Sequence, residues 1–244
     1  PGVGEWHHFA VTFDGVSGQS AIYYDGEKVD VSFTTPAGVG TADTGGFHIG
    51  SFRGGNGRFF EGLIDEVGIW NRVLRADEIA YLAEGNAIPL PDPSKTLKDG
   101  LQASWSFEGD FSSSTFGFDG EPVNGAMISD DAKVGNGSVS FTQADKQYVD
   151  VQNQVIENGA LAYSSAGWFK VTGGEGRRFL WETSPSNWAV STEVTPAGNV
   201  KAFTKLADGS SHSADSGMVP GVGEWHHFAV TFDGVSGQSA IYYD

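Results

Sequence analysis

Cysteine is missing altogether from these 244 residues. Disulfides, thiolate metal ligands and thiol catalysis are therefore excluded. Basic residues are scarce, 14 against 31 acidic ones, for a net charge of −17. A surface of that sign forms no phosphate footprint, so neither nucleic acid nor anionic lipid is expected as a partner. No apolar run reaches the length of a membrane-crossing helix, so no membrane insertion is expected. What the chain has in quantity is glycine, 35 residues, and aromatic side chains, 13%. The glycines separate short apolar runs, which is the texture of a β-sandwich with many turns.

The stretch Pro1 to Asp25, PGVGEWHHFAVTFDGVSGQSAIYYD, returns unchanged as Pro220 to Asp244, 219 positions on. Two diverged domains would not retain such identity. The spacing implies one period of a repeat plus a 25-residue overlap. Within the copy, Gly4 to Phe13 reads as a strand. Trp6, His8, Ala10 and Thr12 lie on one face and His7, Phe9, Val11 and Phe13 on the other. Asp14-Gly15 turns it into Ser20 to Tyr24, and Asp25-Gly26 into Lys28 to Phe33.

Further strands are predicted at Gly46 to Phe52, Phe60 to Trp70, Leu101 to Phe107, Val123 to Met127, Ser138 to Thr142 and Gln147 to Val151. Others follow at Ala162 to Val171, Phe179 to Thr183, Trp188 to Val194, Val200 to Leu206 and Glu224 to Phe232. One short amphipathic helix is expected between Leu74 and Glu84. Gly85 stops it, and Arg75 makes a poor N-cap. Pro89, Pro91 and Pro93 then alternate, marking an extended spacer at 87–96. The fold class is all-β: a two-sheet antiparallel β-sandwich, or jelly roll, with one short helix.

Several stretches resemble the laminin-G-like jelly roll of the concanavalin A-like lectin and glucanase superfamily. They are LQASWSFEGD, GEWHHFAVTFDG, IYYDGEKV, FHIGSF and FFEGLIDEVGIWNRVLRADEIAYL. The family's order begins at Leu101, runs to Asp244 and continues from Gly26 to Glu84. The resemblance therefore implies that residues 1–86 are the C-terminal half of one unit. Residues 97–244 are the N-terminal half of the next, and the sandwich is split across two consecutive repeats. Either the halves close on each other as a circular permutant, or a neighbour completes each one. If they close, only one copy of the repeated hairpin has a place, and the other is left to seek a partner chain.

The resemblance also implies calcium, held near Asp65 with Asp110 or Asp119 of the loop GDFSSSTFGFDGE as further oxygen ligands. The alternative for Asp65 is a structural role, accepting backbone hydrogen bonds. Asp65 and Glu66 follow one another on a strand and so are expected on opposite sides. With Glu61 they lack the carboxylate spacing of the superfamily's glucanases, so no enzymatic activity is expected. His7 and His8, like His226 and His227, point to opposite faces and cannot share an ion. His48 and His212 read as ordinary residues. GGNG at 54–57 precedes a strand and makes no phosphate loop. Trp181, Trp188, Phe52, Phe59 and Trp70 could stack on sugars, but alternate-strand aromatics in a sandwich more often form core.

The functional expectation is a non-catalytic repeat module of a large extracellular, bacterial adhesin or filament-forming surface protein. Neighbouring copies of the repeat would be its partners. Two alternatives are a calcium-dependent lectin domain for cell-surface glycans and a binding module attached to a glycoside hydrolase.

Overall fold

The structure, a computed structural model, describes residues 9–14, 19–24, 27–29, 46–52, 55–88, 97, 99–115, 117–157, 160–183, 190–206, 209–233 and 238–243. Trp188 and most of the proline-rich spacer lie outside the described residues, as do Trp6, His7 and His8.

Two antiparallel sheets face each other. The first runs β15 (Ser211–Asp215), β14 (Val200–Lys205), β13 (Val190–Val194), β12 (Arg178–Thr183), β4 (Phe47–Ile49), β10 (Tyr148–Val151) and β7 (Glu121–Val123). The second runs β17 (Gln238–Tyr243), β16 (Trp225–Asp233), β11 (Ala162–Val171), β5 (Gly62–Trp70), β9 (Ser138–Phe141) and β8 (Met127–Ser129). Beside these, β6 (Leu101–Trp105) also pairs with β5. The fold is the β-sandwich that the alternation of the sequence predicts.

Between the sheets lies one large core. Ile64, Val67 and Ile69 of β5 meet Phe47 and Ile49 of β4, Leu180 and Trp181 of β12, and Phe228, Val230 and Phe232 of β16. Phe47 stacks on Trp105 with ring centroids 5.4 Å apart. The predicted alternation holds in the second copy. His226 is packed on the inner side with Phe228 and Phe232, stacking on Tyr243. Trp225 and Ala229 belong to clusters on the outer side.

The outer side of the second sheet is covered as well. Helix α1 (Ala76–Ala83) brings Ile79 and Leu82 down beside Trp70, Leu74, Ala166 and Ala229. Ile88, at the start of the spacer, and Leu97, just after it, enter this same cluster. The helix start is better secured than Arg75 suggests. Glu78 accepts the Arg75 backbone N–H at 2.8 Å and a two-pronged pair from Arg72. This is the carboxylate half of a capping box: Glu78, three residues in, satisfies the backbone N–H of the N-cap residue Arg75.

Strands from both sides of the spacer interleave. β5 pairs with β11, β9 and β6, all from beyond it, and β4 sits between β10 and β12. Segments before and after the spacer thus share the same two sheets. The repeated hairpin appears twice. Its second copy, β16–β17, completes the sandwich along β11. Its first copy forms a separate three-stranded sheet, β1 (Phe9–Asp14), β2 (Gln19–Tyr24) and β3 (Glu27–Val29), beside β16, β17 and α1.

Two expectations on elements change. Val123 to Met127 is not one strand. Asn124 and Gly125 adopt positive φ (54° and 81°), and the chain turns there from β7 in one sheet to β8 in the other. Ser211–Asp215, too polar for the pattern to mark, is an edge strand with an alternating exposed and half-buried profile.

Candidate functional site

Three places on the sandwich gather side chains that could act on something. The first is built at a bulge in β5. Asp65 is the Cα partner of Trp168 and Gly68 of Ala166, so Glu66 and Val67 together oppose Gly167. Glu66 takes φ of 47° to make room. The extra residue breaks the alternation, so Asp65 and Glu66 do not part to opposite sides. Both turn toward the outer layer. Asp65 Oδ2 accepts the N–H groups of Lys133 and Val134, each at 2.9 Å. Glu66 Oε2 accepts the N–H of Ile88 at 2.8 Å.

Both carboxyls are buried, and burial pushes Asp65 up to about 7 and Glu66 up to about 8. Their backbone hydrogen bonds pull the other way, while Glu108 raises both further. Asp65 Oδ1 is buried without a hydrogen-bond partner. The structural role expected as the alternative for Asp65 is the one seen: it ties the loop before β9 to β5.

The calcium ligands implied by the resemblance do not converge. Asp110 accepts the Ser112 N–H and hydroxyl within its own turn, which holds its carboxyl below the usual range. Asp119 accepts the Ser113 N–H. Among the described residues no group of three His, Asp or Glu side chains is placed to hold a metal ion. The donor set at Asp65 therefore does not fit a calcium cage, and no chemistry is routed through one.

The second place lies on the outer face of the first sheet. Asp150, His48 and Glu182 are consecutive Cα partners across β10, β4 and β12. His48 Nε2 is 3.5 Å from Asp150 Oδ1, and its Nδ1 is 3.6 Å from Glu182 Oε1. His48 and Glu182 are buried, while Asp150 is 23% exposed. This carboxylate–imidazole–carboxylate row was missed because His48 reads as isolated. A signal existed: FHI, VDV and WET each place a polar residue at the outward position of a strand.

The third is a cleft of about 380 Å³ between the ends of β5, β6 and β11. Trp70, Ile156, Leu161 and Tyr163 supply apolar lining, and Asn71 and Gln102 the polar groups. Tyr163 is fully buried, and its hydroxyl pairs with Thr204 at 2.7 Å. The proposed sugar-stacking residues are mostly packed away. Trp70 and Trp181 have no exposed surface, and Phe52 and Phe59 retain 8% and 6%. His227 likewise packs against Trp168, on the opposite side of the strand from His226.

Residues 1–80 match the model of the concanavalin A-like lectin/glucanases superfamily in its laminin-G-like form. No curated protein and no solved structure matches the chain. The match covers the first hairpin, β4, β5 and most of α1; of these, β4 and β5 pair with strands beyond residue 80.

Proposed function

With the superfamily match over residues 1–80 as premise, we propose that the chain is a non-catalytic β-sandwich module of a large extracellular adhesin or filament-forming surface protein. The fold and the match support a β-sandwich binding module. One observation carries the finer reading. The sandwich uses one copy of a hairpin that the chain encodes twice without change. A lone ligand-binding domain has no use for a second identical copy, whereas a module built to join others like it does.

Sedimentation velocity over a wide concentration range tests this. The expected result is reversible association that grows with concentration and is unaffected by chelator. A chain that stays monomeric while giving a chelator-sensitive signal on a glycan array would overturn it in favour of the calcium-dependent lectin.

A further inference from the structure

The place occupied by β16 is unusually demanding. All nine of its residues are buried, and it pairs with β11 from Lys170↔Trp225 to Ala162↔Asp233. Phe228, Val230 and Phe232 enter the central core, and Ala229 enters the helix-bearing cluster. Whatever fills this place must carry that sequence in that register.

The first copy meets both requirements. Its residues are the same, position by position. It also forms the same hairpin: β1 pairs with β2 from Phe9↔Tyr24 to Asp14↔Gln19, as β16 pairs with β17 from Phe228↔Tyr243 to Asp233↔Gln238. The six pairs of one superpose on the six of the other at an offset of 219. The first copy carries one strand more, because β3 pairs with β2 through Ile22↔Val29, Tyr23↔Lys28 and Tyr24↔Glu27. β17 closes its sheet as the last strand. Exchanging the second copy for the first would therefore add a strand to the sheet and lose no ladder already made.

Resting on the reading of the chain as a self-associating module, we infer that the place beside β11 accepts the first hairpin of a second molecule of this chain. The molecule holds two donors and one acceptor, so a donor is left over whichever copy is seated. Because the two copies are identical, the packing of the incoming hairpin against β11 reproduces that of the one it displaces. The exchange is therefore close to neutral in energy, and the β2–β3 ladder is carried along unchanged by the incoming hairpin.

The absence of cysteine makes a direct test simple. Ala166 and Ala229 are Cα partners across β11 and β16, and the residue matching Ala229 in the first copy is Ala10. Opposed residues on antiparallel strands lie within disulfide reach. Two full-length variants, Ala10→Cys and Ala166→Cys, differing in mass by a tag, are mixed under mild oxidation. The expected product is a mixed disulfide dimer, formed severalfold more than when Ala21→Cys replaces Ala10→Cys. The single-chain variant Ala166→Cys with Ala229→Cys must close internally, showing that the geometry permits the bond. Mixed-dimer yields equal for Ala10→Cys and Ala21→Cys overturn the inference. If the unmodified chain still associates on dilution series, the module reading survives that outcome and only the exchange site falls.

Discussion

Glu66 combines three unfavourable features: a carboxyl taken from water, a positive φ, and a neighbouring acid at Asp65. The protonated form is the one this environment favours. Asp65 rises from 3.8 to about 7 and Glu66 from 4.5 to about 8, so folding takes up protons in that interval. Stability from these groups is complete below about pH 4 and is lost as pH climbs through 7 and 8. The melting temperature should therefore fall between about pH 5 and 8 and level off above, and Glu66→Gln should flatten the slope. A titration of melting temperature in both proteins checks this. Asp131 behaves oppositely. Its carboxylate takes Lys170 Nζ at 2.7 Å and Trp225 Nε1 at 3.1 Å, and the Lys170 bond leads in holding it below the usual range. Its contribution is present above the unfolded value and disappears as pH falls through the folded one. Asp131→Asn should cost roughly 0.5 kcal/mol at pH 7, because the half-exposed pair is screened by solvent, and the cost should shrink as pH is lowered, read by urea unfolding across that range.

At the scale of elements, the helix and the bulged strand are the points where a single change should tell most. Glu78 has no exposed surface, caps α1 and receives Arg72 in two-pronged fashion. Glu78→Ala should cost about 3 kcal/mol, since it leaves Arg72 and the Arg75 N–H without that acceptor. Gly62 begins β5 where a Cβ would lie 1.9 Å from the Lys170 carbonyl oxygen. Gly62→Ala should force β5 away from β11 and lower stability in urea unfolding by an amount on the order of 3 kcal/mol. Most strands were legible because β11, β12 and β16 alternate or run apolar as buried strands do. The bulge was not. Nothing in IDEVG marks an inserted residue, and Gly167, which the bulge opposes, lies on a strand about a hundred positions away. The His48 row was hidden for a related reason: its members lie far apart in sequence and meet only through pairing of β4, β10 and β12. The capping of α1 by Glu78 was within reach of the sequence, since its position three residues after Arg75 is the usual one for such an acceptor.

For the whole molecule, the spacer is a covalent tie between halves that are already knitted together. A protease site placed between Ile88 and Leu97 should yield two fragments that co-elute, because β5 and β4 are held by ladders across the cut. Gel filtration before and after denaturant checks that expectation, with separation only after denaturant. The period of the repeat was plain in the sequence, and so was the choice it posed between self-closure and completion by a neighbour. The pairing of β5 with β11, β9 and β6 was not legible, because periodicity holds no information about pairing between distant segments. The fully buried strand β5 has a further consequence during synthesis. Its neighbour β11 ends about a hundred residues after it, and β16, which seals that side, ends roughly 160 residues after it. A ribosome adding about 5–20 residues per second leaves this apolar ribbon waiting on the order of ten to thirty seconds. Throughout that interval the growing chain is a client for chaperones, and a pause in translation before Trp225 would prolong its exposure.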